Sequence, residues 1–360
     1  MKHIFLKSSL LVILFCVKTF VYAQTDLKSI PLDKGLPIIV QTGLSYRSID
    51  AVDENMNTFT ATVDLRMIWY DLRQKFKPED VTIDFLQFSD DDDLRPIPDI
   101  WMPTIKFSNM DAEPISLTKL IRIFPDGKIE LLQRIKAVFA QEYDVFRFPF
   151  DSQKLNVIVS SKKEDKLKVN FEFRQNDLEF SNIPNDLEIS GWYPKTIELS
   201  KSQTQGWYGK NFPVFNACLI IERNPTSSIF GIFLPLIASL LIPLLIVWLN
   251  KLEDGEFRVD GFELTNIVIG GLFAVVALNF TINSSFTPLA SGDNTVMRLF
   301  ALNYITLAIS FAICILLYRF NIVTKTKGRY YQEELFLFIN WALPLTVFLM
   351  SIFILLFALL

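Results

Sequence analysis

The sequence predicts an all-β, immunoglobulin-like sandwich followed by an all-α domain of four membrane-spanning helices, and three observations support this. Hydrophobic residues make up 51% of the chain and its mean hydropathy is +0.31, too apolar for an ordinary soluble protein. Residues 24–224 carry short runs in which apolar and polar side chains alternate, broken by turns, as strands with one buried face do. Residues 225–360 carry four apolar stretches, each long enough to cross a hydrocarbon core of about 30 Å.

In chain order, residues 1–23 read as a secretory signal. Lys2 and Lys7 form the basic start, Leu10 to Val17 the apolar centre, and Val21-Tyr22-Ala23 the small-residue cleavage site before Gln24. An uncleaved anchor is the other reading. Cleavage removes His3, the only histidine, and Cys16, leaving Cys218 in a predicted strand and Cys314 in a predicted membrane helix, where no disulfide between them is expected. Without a histidine, and without a nucleophile beside a base, an enzyme is the weakest reading. Losing Lys2, Lys7 and Lys18 from 35 basic residues leaves 32 against 39 acidic, which argues against nucleic acid; no Gly-rich phosphate loop is present either.

The clearest strand runs from Phe59 to Tyr70. Phe59, Ala61, Val63, Leu65, Met67 and Trp69 fall on one face, with Thr60, Thr62, Asp64 and Arg66 on the other. Val169, Phe171 and Phe173 repeat the pattern. Pro125-Asp126-Gly127 joins two further strands as a hairpin, since Gly supplies a positive φ and Pro presets its own. About ten strands are expected, with a short helix before Gly35 as the one exception. Trp69 and Trp101 read as core. The run Asp90 to Asp93 reads as a solvated loop, the sharper alternative being a modulatory calcium site at Asp91, Asp92 and Asp93; no other cofactor is expected.

The predicted spans cover about 228–249, 260–282, 299–318 and 335–360. Trp248, Tyr304, Tyr318 and Trp341 are candidate interfacial anchors. Arg319, Lys325, Lys327 and Arg329 place the connection after the third span in the cytoplasm; the stretch 283–296, with Asp293 and no basic residue, suits the outside. The second stretch is too polar for an anchor alone. Asn266, Gly270, Phe273, Ala277, Phe280 and Ser284 are spaced 4, 3, 4, 3, 4 and so share one helical face. Polar groups in hydrocarbon face protein or water, so this helix is expected to line a pore. A buried helix using Gly for close approach is the plain alternative.

Four short motifs, in this order and spacing, resemble the pentameric ligand-gated ion channels of the Cys-loop receptor superfamily. They are Trp69-Tyr70-Asp71-Leu72-Arg73, Ile100-Trp101-Met102-Pro103, Tyr143 to Leu155 (YDVFRFPFDSQKL), and Glu222-Arg223-Asn224-Pro225 just before lipid. Phe148-Pro149-Phe150-Asp151 looks like the tip of the signature loop. The flanking cysteines are missing, as in prokaryotic members.

The resemblance implies a symmetric homopentamer, 24–224 forming the extracellular ligand-binding domain and 225–360 the transmembrane domain of a channel in a bacterial inner membrane. It makes Glu263 a cytoplasmic selectivity ring for permeant cations, Asn266 the inner polar constriction, and Phe273 and Phe280 apolar gate rings; the register shifted by one residue puts Ala274 at the place of Phe273. It places a small-molecule agonist between subunits, under the hairpin from Glu198 to Phe212. Trp207, Tyr208 and Phe212 either face it or pack the hairpin on the sandwich. Asp64 and Arg66 of the facing subunit, with Ser108 and Lys162, complete the candidate set. Lys162 and Lys163 stand where amine-binding members carry an aromatic residue, which favours a carboxylate; protons are the other agonist considered. Coupling falls to Asp53, to the Phe148, Pro149, Phe150 and Asp151 loop with Asp151 paired to Arg223, and to the connection containing Pro288. A membrane-anchored ligand sensor that conducts nothing is the rival reading.

Overall fold

In the computed structural model, the described residues are 27–77, 84–90, 95–253, 256–259, 261–290 and 292–359. The expected signal segment, residues 1–23, and Asp91, Asp92 and Asp93 lie outside them.

Two sheets pack face to face. Strands β1 (Ile38–Asp53), β2 (Thr58–Tyr70), β3 (Leu86–Ser89), β5 (Ser116–Ile123), β6 (Lys128–Ala140) and β8 (Val169–Glu172) form one, in the order β3-β5-β6-β2-β1-β8. Strands β4 (Ile105–Phe107), β7 (Ser152–Ser161), β9 (Trp192–Gln205) and β10 (Asn211–Arg223) form the other, in the order β4-β7-β10-β9. All pairings are antiparallel except that of β1 with β8. The alternation in β2 is the reason for this layering: Phe59, Ala61, Val63, Leu65, Met67 and Trp69 are all buried, and their apolar area drives the two sheets together. Trp101 meets Trp69 edge-on at 6.1 Å. At the centre, the Tyr46 hydroxyl reaches across from β1 to the carbonyls of Leu155 (2.8 Å) and Ala217 (3.0 Å), pinning one sheet to the other.

The Pro125-Asp126-Gly127 turn joins β5 to β6 as expected, with Gly127 at φ 83° and its amide donating to Phe124. One expectation fails. The stretch before Gly35 forms turns, with Pro31 and Pro37 on either side and Gly35 itself at φ 77°, a combination that stops a helix from propagating. A short helix lies instead at Gln175–Phe180, where the Asp177 carboxylate accepts from the Arg174 backbone amide at its start.

Four apolar helices follow: Thr226–Leu249, Gly261–Ser285, Thr295–Arg319 and Arg329–Leu359. The first contains a widened turn at Ile229–Phe233, just ahead of Pro235, whose missing N–H and bulky ring disfavour a regular turn there. The first and third spans are the most enclosed; the second and fourth are covered on one side only. Between the first and third, the Asn303 side-chain N–H donates to Ser239 and the Ser310 hydroxyl donates to the Pro243 carbonyl at 3.1 Å, giving these donors partners that lipid cannot. Cys218 and Cys314 are both buried and free. The protein is a multi-pass membrane protein with a β-sandwich domain on one side of its helices.

Candidate functional site

Three regions carry the expected site residues, and the second span is the first. Its buried side is Leu264, Val268, Val275 and Ile282, together with Gly271, where an added Cβ would lie 2.7 Å from Ile242 of the first span. The opposite side holds Glu263, Asn266, Gly270, Phe273, Ala277, Phe280 and Ser284, all exposed, with Phe273 at 70% and Phe280 at 73%. The two glycines therefore do different things. Gly271 permits close packing, whereas a Cβ at Gly270 would meet nothing within 4 Å. Near its C-terminal end, the Thr281 hydroxyl donates to the Ala277 carbonyl (2.8 Å) and the Asn283 amide to Asn279 Oδ1 (2.6 Å) within the helix, while Asn283 Oδ1 is buried without a partner among the described residues.

The second region is the seam between sandwich and helices. Arg223 ends β10, and its Nε and Nη2 donate to the two Asp151 oxygens at 2.7 and 2.9 Å. The same guanidinium also holds Glu54, through Nη1 at 3.0 Å and through a short second contact from Nη2. Three aromatic rings enclose it: Trp192 at 4.2 Å, Phe148 at 4.8 Å and Phe286 at 5.8 Å. Phe148 in turn stacks on Phe233 of the first span at 6.2 Å, while Phe150 beside it is exposed and, with Pro149, borders an apolar groove between the first and fourth spans. Asp53 shapes the β1–β2 turn by accepting from the amides of Asn55 and Met56, and Asn55 reaches the helix side, accepting from the Thr287 amide (3.0 Å) and hydroxyl (2.8 Å), next to Pro288. Burial pushes the Glu54 carboxyl above its ordinary range although Arg223 opposes this, and the two carboxylates hold the Arg223 guanidinium protonated despite its burial.

Sequence reasoning found Asp151 and Arg223 but missed Glu54, Trp192 and Phe286 as their partners. Which of the polar side chains of Asp53, Glu54 and Asn55 turns inward depends on the bend of β1, where register shifts occur at Tyr46/Ser48 and Ile49/Ala51.

The third region is the face of the sandwich. At the tip of the β9–β10 hairpin, Trp207 and Tyr208 are 86% and 94% exposed, and Tyr208 adopts φ 59°. Phe212 instead closes on its own strand pair, near enough to Gly206 that an added Cβ there would stand 2.4 Å from the ring. Ser108 shares a 2.7 Å hydrogen bond with Ser160, and Lys162 is exposed beside them, its amide donating to Thr104. Asp64 and Arg66 are engaged within their own chain. Asp64 accepts from Arg134 (2.8 and 2.9 Å) and Arg47 (2.6 Å); Arg66 donates to Asp177 (2.9 Å) and lies over the Phe180 ring at 4.3 Å. Burial alone would raise the Asp64 carboxyl, but the hydrogen bonds from Arg134 and Arg47 outweigh it and hold it below the usual range. Arg47 and Arg134 were not foreseen, although Arg134 stands directly across from Asp64 once β2 and β6 pair.

Comparison with known proteins agrees with this geometry. Residues 22–225 match the neurotransmitter-gated ion-channel ligand binding domain. The chain is 23% identical over 271 residues to a proton-gated ion channel of Gloeobacter violaceus, a match covering 74% of this chain and 70% of that one. It is 25% identical over 228 residues to the human gamma-aminobutyric acid receptor subunit rho-3, covering 60% of this chain and 46% of the receptor. Similarity to the chicken neuronal acetylcholine receptor subunit alpha-2 is 25% over 224 residues, covering 61% and 40%. The chain thus spans less than half the length of these two receptor subunits. A ligand-binding sandwich joined through Arg223 to four apolar helices, with more than half of the residues matched to the family model, means that the chain belongs to the pentameric ligand-gated ion channels of the Cys-loop type.

Proposed function

We propose that five identical copies form a cation-selective, ligand-gated channel in a bacterial inner membrane, with the sandwich outside and the second span lining the pore. The single observation that carries this reading is the two-sided second span. Its apolar side packs on its own subunit, and its other side offers Glu263, Asn266 and two phenylalanines that stay exposed among the described residues. Rings of Glu263 would attract cations and rings of Phe273 and Phe280 would close by dewetting. Relatives named for gamma-aminobutyric acid and for acetylcholine both occur, so Glu263 alone supports the cation choice. An agonist bound between subunits beneath the β9–β10 hairpin would bias the pore by its differential affinity for the open state. Trp207, Tyr208, Phe212 and Lys162 on one subunit would contribute, with Asp64 and Arg66 on the next.

Recording from purified protein in liposomes under a salt gradient tests this. A reversal potential near that of the cation is expected; no conductance under any ligand would leave a non-conducting sensor in its place.

A further inference from the structure

The chain between the first and second spans is closed on itself. Asn250, buried at the end of the first span, accepts from the amides of Lys251 (3.0 Å) and Val259 (3.1 Å) through its side-chain oxygen, and its side-chain N–H donates to the Val259 carbonyl at 3.4 Å. Between these ends a two-stranded ribbon pairs Leu252 with Phe257, and the Arg258 amide donates to the Lys251 carbonyl at 3.0 Å. Three rings fasten the ribbon from outside, packed edge to face. Phe257 meets Tyr318 of the third span at 4.6 Å and Phe336 of the fourth at 5.4 Å, and these two meet each other at 6.3 Å. Tyr318 lies in a widened turn, Cys314–Arg319, beyond which the Phe320 amide donates to the Ile315 carbonyl five residues back. Such turns are rare and recur at functional sites. Val259 stands only four residues ahead of Glu263, and Leu264 and Val268 are buried in the same apolar cluster that receives Phe257.

We infer that Asn250 and Phe257 are positioning residues for the charge-selecting ring, an inference that deepens the reading of Glu263 and rests on it. Neither touches the permeant ion. Asn250 fixes where the chain enters the second span, and Phe257 ties that entry to the third and fourth spans, so that five Glu263 carboxylates stand at one radius and one depth. The field they put on a passing ion depends on both, because Coulomb energy falls with distance. A functional group whose supporting contacts are lost keeps its charge but not its place. Through Phe336, the fourth span takes part in the choice of ion although it lines no pore.

Reversal potentials in liposomes under a salt gradient test this, since they do not depend on how many channels insert. Asn250→Ala, Phe257→Ala and Phe336→Ala should each lower the cation-to-anion permeability ratio about threefold or more. Phe257→Leu, a milder change, should lower it in the same direction and guards against a failure to fold. Tyr318→Phe keeps the ring and drops a hydroxyl that has no partner among the described residues, so it should match the wild type. Glu263→Ala is measured beside them. If Glu263→Ala alters the ratio while Asn250→Ala and both Phe257 variants keep it, with or without a smaller current, the inference is overturned and the ring stands. An unaltered ratio in Glu263→Ala removes the ring reading and this inference with it. Should the protein carry no current, a nitroxide at Glu263→Cys reads the geometry alone, because Cys218 and Cys314 are buried. The distances between subunits should then be narrowly distributed, and clearly broader in Phe257→Leu and Asn250→Ala; equal widths would overturn the inference.

Discussion

Arg223 is the residue on which the seam depends. Its guanidinium is enclosed by two carboxylates and three rings, so removing it strands Glu54 and Asp151 as buried, unpaired charges, a loss on the order of 3–5 kcal/mol. Arg223→Ala and Asp151→Ala should accordingly impair gating or assembly while agonist affinity is spared; wild-type current and potency in both would refute the role. Glu54 adds a dependence on pH. Its folded pKa is raised above the unfolded value of about 4.3, so its contribution to stability is full below that value and fades as pH rises through the folded pKa. Subtracting the melting profile of Glu54→Gln from that of the wild type should expose a difference that declines between acid and neutral pH. A flat difference would contradict the assignment. Asp64 runs the other way: its pKa is held down, so its contribution is present above about pH 4 and fades as pH falls through the folded pKa.

At the scale of elements, the second span is one helix with two unlike sides, and its adjacent glycines separate them. Gly271→Ala would drive a methyl to 2.7 Å from Ile242, an overpacking that costs about 1–3 kcal/mol, whereas Gly270→Ala meets open space. Thermal melting of the pair should show a loss at position 271 alone. On the exposed side, Phe280→Ala should widen the apolar constriction and raise current without agonist; unchanged basal current in both Phe273→Ala and Phe280→Ala would remove them as gates. The exposed face of the second span was legible because a 4, 3, 4 spacing is local and needs only helical geometry. The helix at Gln175–Phe180 was not legible, because six residues carry too little periodicity to distinguish them from a turn.

Over the whole molecule, the described residues of the sandwich meet the helices at the seam, where Asn55 holds Thr287 and Phe148 stacks on Phe233. Asn55→Ala combined with Thr287→Ala should show coupling in a double-mutant cycle of agonist potency, and strictly additive effects would argue that these two elements do not move together. If five Glu263 side chains ring the inner mouth, Glu263→Ala should move the reversal potential toward zero under a salt gradient; an unaltered cation preference would assign selectivity elsewhere.

By itself the sequence determined that a strand-rich domain precedes four spans, which of its faces are apolar, and that Asp151 and Arg223 belong to motifs flanking the membrane. The first two follow from periods of 2 and 3.6 and from local composition, which neighbours along the chain suffice to express, and the third from the family resemblance. The tertiary structure alone decided that Glu54 joins Asp151 on one guanidinium, that Arg298 lies over the rings of Phe146 and Phe357, and that Asp64 serves two arginines. Each of these joins residues far apart in sequence or turned by a bulge. Side-chain partnership across such distances is set by strand register and by how the two domains meet, and a single sequence encodes neither locally.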